Sequence, residues 1–408
     1  MNIFFIIIIF ILFFDFLLNS LASVFDFQCL SHDLPEEFIN HYDPKKYILS
    51  QQYAASNIRL SFFSTLVNLL LMLIFIFSGF FNLLDIWARD FYFSQIITGL
   101  IYFGTLFFLN DLVNLPCEIY KIFKIENDFG FNTTSLKTFV LDKIKTYFLL
   151  FIFGGIILSG IFYFFGYFKE LAWIYASCGV GFFLFLIQPF FNTLIAPLFN
   201  TFTPLENGEL KNRIDLLLDT LNFPISHVDI IDGSRRSLKG NAYFSGIGKY
   251  KRIALYDTLI DQHNIDELLS IIAHEIGHYK HKHNIKNLIL SFSQITIMFY
   301  VFSLFLNNSQ LFLAFKMDNI SVYGSLFFFI ILYSPINLIL SLLTNKLSRD
   351  FEFQADAFAK TAIGTGQHLI LALKKLTVTN LANLCPSKLT IWLHYSHPPV
   401  LKRIYSLK

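Results

Sequence analysis

The sequence predicts a mainly α-helical integral membrane protein. Seven transmembrane helices carry a polar α+β domain assembled from two separate chain segments. Three observations predict this. Of 408 residues, 55% are apolar and only 15% charged, whereas soluble domains carry about 25% charge. Seven apolar stretches approach the roughly twenty residues that a helix needs to cross a bilayer. Finally, the basic residues are segregated: 28 of the 31 Lys and Arg fall in alternate connecting segments.

The seven stretches are residues 3–24, 62–84, 93–115, 147–165, 171–191, 288–306 and 323–343. The first contains Asp15. It lacks a basic flank and is long for a signal-peptide core, so it reads as a retained helix. Pro189 and Pro335 lie in or near these stretches, where membrane helices tolerate them. Segments 25–61, 116–146, 192–287 and 344–408 hold the 28 basic residues. The other side holds only Arg89, Lys169 and Lys316. The positive-inside rule places the basic side in the cytoplasm.

The two largest polar segments are long enough to build one domain, interrupted by a membrane hairpin. The expected division is 1–197, with five membrane helices; 198–287, the first half of the polar domain; 288–343, helices six and seven; and 344–408, the second half. Within the first half, 207–221 reads as an amphipathic helix, 228–232 as a strand, 242–256 as a hairpin turning at 246–248, and 265–282 as a helix.

Composition also excludes. With 31 basic against 29 acidic residues, the net charge of +2 gives no reason to expect a nucleic-acid partner. The four cysteines form no CxxC pair, which argues against a cysteine-based zinc cluster and a disulfide scaffold. The 52 phenylalanines accompany abundant Ile, Asn, Lys and Tyr, as a nucleotide-biased genome would produce, and say little about function.

The sharpest signal is His274-Glu275-Ile276-Gly277-His278. Four residues apart on a helix, both imidazoles lie on one face within reach of a single ion. Neutral imidazole suits Zn²⁺, and catalytic zinc keeps three protein ligands and an open position. Glu275 stands beside that position as a general base. With 11 His, the motif is expected by chance about 0.01 times in such a chain. His281 and His283 cannot complete a tetrahedral site from one straight helix. They read instead, with Lys280 and Lys282, as a basic end facing solvent or headgroups. The better third ligand is Glu352. Asp356, four residues on, is placed to accept the second N–H of a ligand histidine. Acids in so apolar a helix are costly unless paired.

With these residues in hand, the chain resembles the type 1 CAAX prenyl proteases, membrane zinc metalloendopeptidases. The resemblance extends to Phe129-Gly130-Phe131-Asn132, Asp142, Ala196-Pro197-Leu198-Phe199-Asn200, Thr203-Pro204-Leu205, Asn241-Ala242-Tyr243-Phe244, Lys251-Arg252-Ile253 and His394-Tyr395-Ser396-His397-Pro398-Pro399. It implies a seven-helix barrel around a water-filled intramembrane chamber, capped by the metalloprotease domain. It also implies removal of the C-terminal tripeptide from prenylated CAAX proteins, with a further upstream cleavage in some members. By resemblance, one Zn²⁺ is held by His274, His278 and Glu352, and Glu275 is the base. His397 and Arg403 face the site: His397 toward the scissile carbonyl, Arg403 orienting Glu352 or its neighbours. Asn241, Ala242, Tyr243 and Phe244 form a substrate-binding edge strand. Gly240 stands where the family carries Ser, which would loosen the strand entry.

Two alternatives follow. Asp232-Gly233-Ser234-Arg235-Arg236 and the short membrane loops resemble a bacterial branch without prenylated substrates, acting in membrane-protein turnover at the inner membrane. A eukaryotic member would sit in the endoplasmic reticulum membrane. From another class, a transporter or channel with a zinc-stabilised domain would need charged residues in its spans. These carry Asp15, Asp111 and little else.

Overall fold

The computed structural model describes residues 2–31, 33–223, 227–245 and 252–408. Its α-helices of six residues or more, in chain order, are α1 (Ile3–Cys29), α2 (Pro44–Ser78), α3 (Phe80–Arg89), α4 (Gln95–Glu126), α5 (Leu136–Tyr167), α6 (Ala172–Phe190), α7 (Glu209–Thr220), α8 (Asp257–Gln262), α9 (Ile265–Lys280), α10 (His283–Phe305), α11 (Ser309–Ala314), α12 (Val322–Ile363), α13 (Gln367–Thr379), α14 (Lys388–His394) and α15 (Val400–Leu407). Seven of them, α1, α2, α4, α5, α6, α10 and α12, are long and apolar enough to cross a membrane.

Several helices run beyond the apolar stretches, α2 beginning at Pro44, α4 continuing to Glu126 and α5 beginning at Leu136, and two further differences shape the fold. The stretch 62–84 is not one helix. Gly79 adopts φ +72°, a left-handed conformation that glycine tolerates without steric penalty. It ends α2 at Ser78 and starts the separate α3. Conversely, the helix that carries the last span does not end at 343. α12 runs for 42 residues, about 63 Å at 1.5 Å per residue, roughly twice the hydrocarbon thickness. Its first half crosses the membrane, and its second half carries Glu352 and Asp356 into the polar domain.

The membrane bundle is packed largely by aromatic rings. Phe81, fully buried, meets Phe75, Phe315 and Phe328 edge-on, and Phe315 stacks on Phe328 with centroids 3.8 Å apart. Such pairs add to simple area burial. Other phenylalanines, such as Phe10, Phe108 and Phe151, point outward, where lipid would solvate them. Asp15 is not stranded in apolar surroundings: it accepts a hydrogen bond from Ser334 of α12 and thereby pins α1. At one end of the bundle, fully buried Asp85 takes Arg89 at 2.8 Å and the Tyr323 hydroxyl at 2.5 Å.

Both polar segments fold together at the other end. Four strands, β1 (Phe202–Pro204), β2 (His227–Ile231), β3 (Ala242–Ser245) and β4 (Arg252–Tyr256), form a sheet in the order β1-β2-β4-β3. β2 and β4 are parallel; the other pairs are antiparallel. β1 gives no sequence signal, being three residues long and ending in proline. The 242–256 hairpin forms, although its expected turn and Lys251 lie outside the described residues. β3 is an edge strand, and the chain entering it is tied to the membrane helices. Lys239 pairs with Glu126 at 2.8 Å and with the Tyr53 hydroxyl, while Arg236 grips Asp142 with both ends of its guanidinium.

α9 starts at a capping box between Asn264 and Glu267, which satisfies two of the free N–H groups at its first turn. Nearly every residue from Glu267 to Gly277 is then buried. The decisive contact is with α12. A Cβ at Gly277 would lie 3.0 Å from Ala355 Cα and 3.1 Å from Ala355 O, both rigid backbone atoms. Replacing glycine with alanine inside a helix ordinarily stabilises by up to about 1 kcal/mol. Here overpacking, typically about 1–3 kcal/mol, opposes it. Gly277→Ala should therefore lower the thermal unfolding temperature of the purified protein; an unchanged or higher midpoint would contradict this packing.

Candidate active site

The α9–α12 contact places two histidines against one carboxylate. His274 Nε2 and His278 Nε2 lie 3.1 Å apart. Glu352 Oε2 is 3.5 Å from the first and Glu352 Oε1 is 3.3 Å from the second. One ligand-type atom from each residue falls within 4.8 Å of the others, so the three could hold a metal ion. The donor set fits one: two imidazole nitrogens converge at a distance where two N–H groups would repel. Glu352 Oε2 is also buried without a hydrogen-bond donor in acceptable geometry. Two nitrogens and one carboxylate oxygen match the ligand chemistry of zinc.

The surrounding residues fix these groups. Asp356, one turn past Glu352 on α12, lies 2.9 Å from His274 Nδ1. A proton held there leaves the Nε2 lone pair aimed at the shared point. Asp356 is itself held by Arg403 of α15, whose Nε and Nη2 donate to its two oxygens at 2.8 and 2.6 Å. Arg403 also stands 3.3 Å from Glu352. Burial and Arg403 both disfavour an imidazolium at His274. The adjacent carboxylates of Asp356 and Glu352 outweigh them, and its pKa is raised to about 9. A metal binding here must therefore displace a proton.

His397 arrives on the loop before α15. Its Nε2 is 3.3 Å from Glu352 Oε1, yet its side chain is 68% exposed, so it looks into an open cleft. Arg349 of α12 holds that loop by donating to the carbonyls of Ile391 and Tyr395. The cleft has a volume of about 480 Å³ and is lined by Glu275, His397 and Arg403 together with Gly240, Asn241 and Ala242 from the edge strand. The side chains of Tyr243 and Phe244 lie outside the described residues. The strand entry at Gly240 is less loose than its sequence suggests. Asn380 accepts from the Gly240 N–H at 3.3 Å and approaches its carbonyl with the side-chain amide.

One expectation fails. His281 is exposed, but His283 is 1% exposed and does not face solvent or headgroups. It lies 3.0 Å from His278 Nδ1 and 3.0 Å from Gln354 Oε1. α9 ends at Lys280, and Lys282 turns the chain through φ +57°. A straight-helix projection cannot foresee that reversal. Gln354 and Asn380 likewise carried no signal; only the fold brings Gln354 against His283 and Asn380 to the cleft.

Comparison with known proteins places the chain among membrane peptidases. Residues 26–201 match a family model described as CAAX prenyl protease N-terminal, five membrane helices, and residues 204–408 match Peptidase family M48. CAAX prenyl protease 1 of Saccharomyces cerevisiae is 31% identical, covering 96% of this chain and 92% of its own length. The CAAX prenyl protease 1 homolog of Mus musculus is 32% identical over 77% of this chain and 74% of its own. The crystal structure of Ste24p from S. mikatae superposes with a TM-score of 0.94 at 31% identity, covering 99% of both chains.

The Arg403–Asp356 pair is buried, and removing one partner of such a pair typically costs about 3–5 kcal/mol. Arg403→Leu should sharply lower the unfolding temperature, and Arg403→Leu combined with Asp356→Leu should restore part of it. A double mutant whose loss equals the sum of the singles would show that the two side chains act independently.

Proposed function

We propose, for a chain that belongs to the type 1 CAAX prenyl protease family, that His274, His278 and Glu352 bind one zinc ion and that Glu275 is the general base. The protein is an integral-membrane metalloendopeptidase, which sets aside the transporter reading. The single observation carrying the metal assignment is the convergence of His274 Nε2, His278 Nε2 and the buried Glu352 carboxylate.

Zinc bound there would polarise the scissile carbonyl and acidify a water molecule. The chain's own groups do the rest. Glu275, half-buried at the cleft, takes the proton of the attacking water and passes it to the departing amine. His397 donates to the oxyanion that develops on the carbonyl. Arg403 and Asp356 hold His274 and Glu352 in place. The substrate lies along β3, whose outer edge is free among the described strands. Strand addition pairs backbone with backbone and so tolerates varied side chains.

Its relatives are named CAAX prenyl proteases, and this reading gives this chain the corresponding substrate class, prenylated CAAX proteins that lose their C-terminal tripeptide. Segregation of the basic residues supports a cytoplasmic catalytic domain. The domain division at 197, 287 and 343 stands as part of the same reading, with α12 continuous across the last boundary.

Glu275→Ala should retain one zinc per chain and the wild-type unfolding temperature while abolishing peptide hydrolysis; wild-type turnover would eliminate Glu275 as base. Purified protein should cleave a farnesylated CAAX peptide with a kcat/KM at least about tenfold above its unprenylated counterpart, a difference of about 1.4 kcal/mol. Equal rates would instead favour the membrane-protein turnover reading.

A further inference from the structure

We propose that His283 is a positioning residue for this reaction, acting through a relay from Gln354 to His283 to His278 that fixes the tautomer and aim of the His278 ring. The inference rests on the reading of His278 as a zinc ligand and extends it to residues outside the ligand set.

The relay follows from donor and acceptor chemistry. A neutral imidazole carries one N–H and one lone pair. Gln354 Oε1 can only accept, and it lies 3.0 Å from His283 Nε2, so the proton of His283 resides there. His283 Nδ1 is then an acceptor. His278 Nδ1, 3.0 Å away, must donate to it. That puts the His278 proton on Nδ1 and leaves its Nε2 lone pair directed at the point shared with His274 and Glu352. With the Gln354 amide reversed, every step of the relay would invert. His278 would then carry its proton on Nε2, where a ligand needs a lone pair. Metal ligation selects the first arrangement.

The surroundings are built to hold the His283 ring. It is 1% exposed and stacks on Phe351 of α12 with centroids 4.3 Å apart and planes within 10°. It reaches this place because Lys282 adopts φ +57°, ψ 33°, a left-handed conformation unfavourable for a side-chain-bearing residue. Strain of that kind persists where surrounding contacts over-determine it. The two ligand histidines are thus oriented by different chemistry. His274 is backed by Asp356, whose charge Arg403 compensates, whereas His278 is backed by a neutral imidazole and an amide. The site therefore gains a second orienting partner without a second orienting carboxylate whose charge would need compensation.

The test measures zinc affinity of the full-length protein in detergent, by competition with a chromophoric chelator, beside thermal unfolding of the metal-free form. Loss of a partner that orients a ligand typically weakens metal binding about 10- to 100-fold. His283→Leu should weaken zinc within that range, and Gln354→Leu should weaken it in the same direction by less. His283→Asn should restore affinity to within about threefold, because its Oδ1 can stand where Nδ1 stood and accept from His278. If His283→Leu fails to fold, Gln354→Leu and His283→Asn carry the comparison. Wild-type affinity in both leucine variants would overturn the relay while leaving the ligand set intact. Equal loss in His283→Asn and His283→Leu would overturn it as well, reducing His283 to packing. His278→Ala separates the two levels: undiminished zinc affinity there would overturn the ligand reading itself, and the relay with it.

Discussion

The close approach of α9 to α12 is the contact on which the rest of the polar domain depends. The two helices meet at Gly277 and Ala355 so closely that a methyl group there would press on the Ala355 backbone at 3.0–3.1 Å. Three of the converging side chains sit within one helical turn of that crossing. His274 and His278 flank Gly277 on one helix, and Glu352 precedes Ala355 on the other. A separation wider by the thickness of one side chain would leave two histidines and an unpaired buried carboxylate, which is costly. Gly277 thus contributes to the chemistry by being small.

The membrane domain supplies the leverage for this contact. The hairpin of α10 and α12 returns the chain to the polar side. Because α12 runs unbroken through Ile363, the position of its lower half is set by aromatic packing in its upper half. The edge strand is referred to the same frame through Lys239–Glu126 and Arg236–Asp142. Cleft wall and metal-binding face are therefore both anchored to membrane helices, which gives a physical reason for building a peptidase from two segments separated by a hairpin.

Charge within the site is arranged to be self-consistent. Glu352 and Asp356 are both nearly inaccessible, and Arg403 spans them. Its bidentate grip on Asp356 is a geometry lysine could not reproduce. The carboxylate that backs His274 is neutralised away from the ligand face, leaving Glu352, among the described residues, as the carboxylate grouped with the converging histidine nitrogens.

Much of this was legible in the sequence. The number of spans follows from apolar stretches of bilayer length, because backbone groups in lipid must be satisfied within a helix. His274, Glu275 and His278 follow from helical periodicity. Glu352 and Asp356 follow from the same four-residue spacing in a helix too apolar to leave them unpaired. Local periodicity could not reveal where helices turn or what they meet. The break at Gly79, the three-residue β1 and the continuity of α12 through the membrane boundary depend on tertiary context. So does the burial of His283, which the sequence presented as part of a basic, exposed end. The left-handed turn at Lys282 reverses the chain, and no residue pattern announces it. Sequence determined which groups could act, since residue type and spacing fix donor chemistry. Only the tertiary structure decided which of them share a site, since that depends on how closely two backbones can approach.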